Sequence, residues 1–113
     1  MNAAQRTELQ SFMDLVQFEP GQVMLKQGKE PCVGFLVAQG TVEELVDQEV
    51  IDTHKKGDLA ASIQAISEGS PSPHTLRASG KVKAYMLGHQ PFKRFLAGYP
   101  GLYLRLLHRR RGD

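Results

Sequence analysis

The feature that most constrains the fold of this chain is a series of short β-rich runs separated by glycine-containing turns, FEPGQVMLKQGKEPCVGFLVAQGTV, at residues 18–42. Pro-Gly and Gln-Gly pairs interrupt these runs at nearly regular intervals. Such pairs reverse the chain tightly, because proline presets φ and glycine adopts conformations that are strained for other residues. Short strands joined by tight turns are typical of a small antiparallel barrel or jelly roll.

Further strand patterns follow along the chain. Residues 41–54 indicate a hairpin, and residues 81–87 alternate apolar and polar side chains with the period of a half-buried strand. Residues 59–66 fit either a strand or one or two turns of helix, and residues 67–73, SEGSPSP, predict a loop. We therefore predict a mainly β fold with flanking helices, in which an eight-stranded antiparallel β-barrel or jelly roll spans residues 18–88.

Helices are predicted at both ends of the β-region. Residues 3–16 carry apolar side chains at helical spacing, which predicts one N-terminal helix. The apolar positions of that helix are Leu9, Phe12, Met13 and Val16. Two C-terminal helices are predicted within residues 91–110, the first beginning at Pro91, since proline is tolerated in a first helical turn. A chain of 113 residues suffices for one domain with a core, so we predict a single domain over residues 1–113.

Composition narrows the classes of function. The net charge of +2 does not favour nucleic-acid binding, and no apolar run approaches the ~20 residues that span a bilayer. The N-terminus lacks the apolar core of a secretory signal, and Cys32 is the one cysteine, so no intrachain disulfide is available. We predict no direct nucleic-acid contact, no membrane insertion and a cytoplasmic location, including the case of an intracellular part of a larger protein.

Patterns typical of catalysis and of metal binding are missing from the sequence. The four histidines are spread out and none are one residue apart, as a cupin metal site requires, and the serines lack a Gly-x-Ser-x-Gly context. We therefore expect a non-catalytic chain without metal or cofactor. The expected surface histidines are His54, His74, His89 and His108.

The spacing of aromatic, glycine and strand residues resembles that of the cyclic-nucleotide-binding domain. This is the fold of catabolite-activator-type regulators, protein kinase A regulatory subunits and cyclic-nucleotide-gated channels. The resemblance covers about residues 12–108. It rests on Phe18, Gly21, Val23, Gly28, Phe35, Leu36, Val37, Gly40 and Val42 in the first half. One departure there is Lys29, where the family has an acidic residue.

The second half matches the spacing of the family's phosphate-binding cassette but not its chemistry. In the family a glutamate accepts from the ribose hydroxyl, and an arginine binds the cyclic phosphate through its planar, bidentate guanidinium. Here Ala61 stands at the cassette's glycine position, Ser62 at the glutamate position and Ser72 at the arginine position. The resemblance implies a pocket lined by Gly57, Asp58, Ala61, Ser62, Ser72, Pro73, His74 and Thr75.

Two functions remain open from these residues. The first is a regulatory sensor for cyclic AMP, cyclic GMP or another small anion, with weak or lost nucleotide binding and a covalently linked or associated effector domain. In that case His74 or Arg77 is the candidate substitute cation, although solvated strand-end positions are the simpler interpretation of both. The second is a ligand-free interaction scaffold that forms a homodimer through its C-terminal helix at about residues 99–107.

Overall fold

The structure, a computed structural model, describes residues 2–107 of the chain. Eight strands and four helices lie within that range. The helices are α1 (Ala3–Gln10), α2 (Ile63–Glu68), α3 (His89–Ala97) and α4 (Leu102–Leu107). The strands are β1 (Asp14–Phe18), β2 (Val23–Leu25), β3 (Gly34–Gln39), β4 (Val42–Val46), β5 (Glu49–His54), β6 (Leu59–Ala60), β7 (Thr75–Ala78) and β8 (Val82–Leu87).

The strands form two four-stranded antiparallel sheets that share one hydrophobic core. The first sheet has the order β1-β8-β3-β6 and the second the order β2-β7-β4-β5. Phe35 and Ala84 of the first sheet and Val42 and Leu76 of the second all belong to the same buried cluster. The predicted mainly β, eight-stranded jelly-roll fold is thus confirmed, although the two sheets do not close into one hydrogen-bonded barrel.

The prediction of one helix over residues 3–16 is wrong in its second half. Helix α1 ends at Gln10, after beginning with a capping box in which Asn2 and Gln5 exchange side-chain to backbone hydrogen bonds. Residues 14–18 instead form β1, which pairs with β8 along its whole length. The apolar spacing that indicated a helix here also allows a strand. Residues 14–18 adopt the strand conformation because β8 offers them backbone hydrogen bonds.

Two other boundaries differ from the predictions. Residues 59–66, which fitted either a strand or a helix, contain both β6 and the start of α2. The predicted loop 67–73 therefore begins at Gly69, whose φ of +67° ends α2 in the left-handed conformation. Helices α3 and α4 confirm the two predicted C-terminal helices, while residues 108–110 of that prediction lie outside the described residues.

The β4–β5 hairpin forms without a glycine in its turn. Asp47 and Gln48 both have positive φ, +50° and +71°, which a tight two-residue hairpin turn requires. The side chain of Gln27 supports this turn, because its Oε1 accepts from the Asp47 N–H at 2.9 Å and its Nε2 donates to Asp47 Oδ1 at 3.2 Å. A contact from a distant part of the chain thus stabilises a conformation that glycine usually supplies.

The helices complete the core rather than standing apart from the sheets. Phe92 and Phe95 of α3 and Leu102 of α4 are fully buried with the strand residues. Phe95 also meets Phe12, which follows α1, edge to face at 6.2 Å between ring centroids. No helix among the described residues combines the length and apolar character needed to cross a membrane.

Candidate functional site

The first predicted cassette residues form a tight turn that is fastened to β3. Gly57 has a φ of +92°, and its N–H donates to the carbonyl of Val37 at 2.8 Å. The Val37 N–H in turn donates to the carbonyl of Asp58 at 2.9 Å. The Asp58 carboxylate accepts from the Lys55 N–H at 2.8 Å. The side chain of Asp58 therefore stabilises the exposed turn in which it lies.

Ser62, at the glutamate position of the cassette, is the N-cap of α2. Its hydroxyl accepts from the Ala65 N–H at 3.3 Å, as a helix N-cap normally does. Ala61 precedes it and packs so closely on β3 that a Cβ added at Gly34 would lie 2.8 Å from the Ala61 Cβ. These two residues position α2 against the first sheet.

Ser72, at the arginine position, is buried and closes a local turn. Only 3% of its surface is exposed. Its hydroxyl donates to the His74 carbonyl at 2.6 Å and accepts from the His74 N–H at 3.2 Å. Its backbone pairs with the β2–β3 connection, accepting from Gly28 and donating to Lys29. A small hydroxyl bonded to the backbone of His74 thus lies at the position where the resemblance predicts an arginine in the family.

The neighbouring predicted site residues have different surroundings. Pro73 is exposed, whereas the Thr75 hydroxyl accepts from the Gln27 N–H at 2.9 Å. Arg77 alternates with the buried Leu76 on β7 and therefore faces away from the core. Its guanidinium binds Oε1 of Glu43, directly across on β4, at 3.0 Å. The structure does not bring Arg77 together with His74, since the two side chains engage different glutamates.

His74 belongs to a cluster of ionisable side chains that the sequence analysis missed. Its Nδ1 lies 3.2 Å from Oε2 of Glu44, and the other carboxylate oxygen of Glu44 lies 2.7 Å from Nε2 of His54. The same His54 nitrogen lies 3.6 Å from Oδ2 of Asp52. We call Glu44, Asp52, His54 and His74 the polar cluster. The two imidazoles hold the pKa of Glu44 well below its usual range, chiefly by hydrogen bonding.

The polar cluster lies on the core-facing side of the second sheet. Glu44 is opposite Leu76 of β7 and opposite Asp52 of β5 in the antiparallel register. Only 5% of the surface of His74 is exposed, and the Glu44, Asp52 and His54 side chains are also mostly buried. The expectation that His54 and His74 are surface residues was therefore wrong. Strand alternation places Glu44 inward and Glu43 outward, and only the strand register shows that the histidines meet Glu44.

Comparison with known proteins decides the family. The family model described as "Cyclic nucleotide-binding domain" matches residues 15–99, most of the chain. The chain belongs to the cyclic nucleotide-binding domain family. This agrees with the two-sheet fold and with the turn positions from Gly21 to Gly57.

The relatives found are regulatory proteins. A cAMP-dependent protein kinase regulatory subunit of Emericella nidulans is 27% identical over 94 residues, 81% of this chain and 23% of the relative. A second such subunit, from Hypocrea atroviridis, is 25% identical over 101 residues, 89% of this chain and 22% of the relative. The chain thus spans less than a quarter of the length of these curated relatives.

Solved structures confirm the fold. The catabolite activator protein of Thermus thermophilus superposes with a TM-score of 0.81 at 14% identity, over 95% of this chain and 53% of that one. The regulatory domain of Toxoplasma gondii PKA, solved with cAMP, gives 0.77 at 21% identity, over 95% of this chain and 41% of that one. The sequence-based recognition of this family is confirmed.

Proposed function

We propose that this family member is a regulatory sensor module in which binding of cyclic AMP and cyclic GMP is weak or lost. The observation that carries the proposal is the state of Ser72. Its hydroxyl is engaged with His74, and its side chain offers no charge to a cyclic phosphate. Loss of one partner of a buried charge pair costs roughly 2–5 kcal/mol, which is about thirty- to several-thousand-fold in affinity.

The charge of the interior supports the same conclusion. The carboxylates of Glu44 and Asp52 lie on the core-facing side of the second sheet. His74 connects Glu44 to residues 57–75, which match the spacing of the family's cassette and are called the cassette segment. An anionic ligand that came close to these carboxylates would meet negative charge instead of a guanidinium. Arg77 does not compensate, because Glu43 holds it on the other face of the sheet.

The regulatory role is proposed from the relatives, which are regulatory subunits of a protein kinase. In this role the chain itself is non-catalytic, and a linked or associated effector domain reads its state. Helices α2 and α3 are in contact, so a change in the cassette would reach α3 and α4 directly. Such a response is a population shift driven by different ligand contacts in two states.

The proposal is tested by restoring the two missing side chains. Wild type is titrated with cyclic AMP and cyclic GMP by calorimetry and by NMR, and we expect no saturable binding at micromolar ligand. The variant Ser62→Glu/Ser72→Arg should gain at least thirtyfold in affinity for a cyclic nucleotide. The control Gln64→Glu/Pro71→Arg adds the same charges at exposed positions of the same segment and should not gain. Tight binding by wild type would refute weakened binding.

One observation favours the second candidate, an interaction scaffold that dimerises through α4. Leu104 and Leu107, which are three residues apart in this helix, are 60% and 40% exposed. This role predicts a concentration-dependent dimer that Leu104→Glu abolishes, with no response to nucleotide. Sedimentation equilibrium that shows a monomer at high concentration would exclude the dimer.

A further inference from the structure

We propose that the polar cluster is a binding site for a divalent transition-metal ion of the zinc class. The proposal goes beyond the sensor function and does not depend on nucleotide binding. Its basis is that the His54 imidazole and the carboxylates of Glu44 and Asp52 lie close together in the interior. A second imidazole, that of His74, contacts the other oxygen of Glu44.

The spacing of the ligand atoms fits a single ion. One ligand atom from each of Glu44, Asp52 and His54 lies within 4.8 Å of the others. Zinc bonds to imidazole nitrogen and carboxylate oxygen are about 2.0–2.2 Å long, so two ligands of one tetrahedral ion lie roughly 3.3–3.6 Å apart. The separation of 3.6 Å between His54 Nε2 and Asp52 Oδ2 already matches this value. The contact of 2.7 Å between His54 and Glu44 needs only a small opening.

The donor set also fits this class of metal. One imidazole with two carboxylates supplies nitrogen and oxygen ligands, which suit zinc and its neighbours better than calcium or magnesium. The two carboxylates are mostly removed from water, with side-chain exposures of 16% for Glu44 and 12% for Asp52. A divalent cation is attracted to carboxylates in such surroundings more strongly than it is in water.

The cluster is built on rigid elements. Glu44 and Asp52 are directly opposite each other on β4 and β5, and His54 follows two residues later on the same face of β5. Ligands on paired strands of a sheet have little freedom to move, so little order must be gained on metal binding.

His74 supports the assignment of Glu44 as a metal ligand. Its Nδ1 contacts Oε2 of Glu44, which leaves the other oxygen of that carboxylate facing His54. Such a contact is typical of residues that orient a metal-binding carboxylate. Its Nε2 is buried and has no hydrogen-bond partner among residues 2–107.

The polar cluster is connected to the cassette segment through His74. His74 follows Ser72 in the cassette segment, and its backbone accepts from and donates to the Ser72 hydroxyl. An ion held by β4 and β5 would therefore fix the segment between α2 and β7 through Glu44 and His74. A metal ion would thereby restrain the segment that contains Ser72.

The test is a metal titration of the full chain after removal of metals with a chelator. We expect Zn²⁺ to bind one per chain by calorimetry, and Co²⁺ to develop visible d–d absorption that Zn²⁺ removes. His54→Gln should weaken Zn²⁺ at least a hundredfold, and His74→Gln, which changes an orienting residue, about 10–100-fold. Glu43→Gln, on the same strand with its side chain on the other face, should not change the affinity.

A readout on the wild-type protein guards against variants that fail to fold. In imidazole NMR spectra Zn²⁺ should shift the ring signals of His54 and His74 and leave those of His89, which contacts the carbonyl of Ile66, unchanged. Absence of saturable binding at millimolar Zn²⁺, or equal affinity in wild type and a folded His54→Gln, would overturn the proposal. Shifts confined to other histidines would overturn it as well. No nucleotide is present in these experiments, so their outcome is separate from that of the sensor proposal.

Discussion

The two neighbouring glutamates of β4 offer a direct test of how the polar cluster contributes to stability. Glu44 faces the core and contacts two imidazoles at 2.7 and 3.2 Å with 16% of its side chain exposed. Glu43 faces outward and pairs with Arg77, with exposures of 25% and 38%. The substitutions Glu44→Gln and Glu43→Gln make the same chemical change on opposite faces of one strand.

The expected magnitudes follow from these surroundings. A hydrogen bond to a charged group contributes about 1.5–3 kcal/mol and one between neutral groups about 0.5–1.5 kcal/mol, so neutralising Glu44 loses about 1 kcal/mol at each imidazole. The amide also presents a donor where one imidazole met an acceptor, which leaves a mostly buried polar group unsatisfied at a further cost of about 1–3 kcal/mol. We expect Glu44→Gln to lose about 3–5 kcal/mol in all. The exposed pair at Glu43 should lose about 0–1 kcal/mol.

The assay is urea denaturation at neutral pH, followed by circular dichroism, with a chelator present so that bound metal does not contribute. The free energies of unfolding are compared at equal m-values, because a changed m-value reports a different denatured state. If the two variants lose the same free energy within about 0.5 kcal/mol, the reasoning fails. That result would mean that the desolvation of the Glu44 charge offsets its contacts.

Three further predictions concern the turns and the buried thiol. Gly40→Ala should lose about 1–3 kcal/mol more than Gly57→Ala in urea denaturation, because both glycines have a φ of +92° but only at Gly40 would a Cβ overlap the carbonyl oxygen of Lys81. Equal losses would refute this. Burial raises the pKa of the Cys32 thiol, so its contribution to stability is present below the ordinary thiol pKa and is lost as pH rises through the pKa of the folded state. The free energy of unfolding, measured at a series of alkaline pH values, should therefore fall more steeply for wild type than for Cys32→Ala. Parallel curves would contradict this prediction. Gln27→Ala should destabilise the β4–β5 turn by about 1–2 kcal/mol and speed amide exchange in that hairpin, whereas unchanged exchange would show that the turn holds without this side chain.

Much of the fold could be predicted because its signals are local. Glycines with positive φ occur at the predicted turns, including Gly21, Gly28, Gly40 and Gly57. The alternation of β8 and the proline in the first turn of α3 likewise appear where the sequence indicated them. The turn signals depend on the conformational preferences of one or two adjacent residues, and the β8 signal depends on the spacing of a few neighbouring residues along the chain.

The candidate site was predicted only in part. The resemblance named Ser62, Ser72 and His74, and the structure gives each a defined contact within or beside the cassette segment. Whether these residues line a ligand pocket stays a prediction. Glu44 and Asp52 were missed, although inward-facing acidic residues in an alternating hairpin are a usable signal once the register is known.

The sequence alone determined the β-rich class, the positions of the glycine turns and the family, because these depend on local conformation and on spacing along the chain. Tertiary structure alone decided that residues 14–18 form a strand that pairs with β8. It also decided that Asp47 and Gln48 form a turn that a hydrogen bond from the Asp47 N–H to the Gln27 side chain stabilises. It also decided that His54 and His74 meet on Glu44, residues that are 10 and 30 positions away along the chain. Such contacts depend on which strands pair and in which register, and the energy that selects the pairing comes from the whole core.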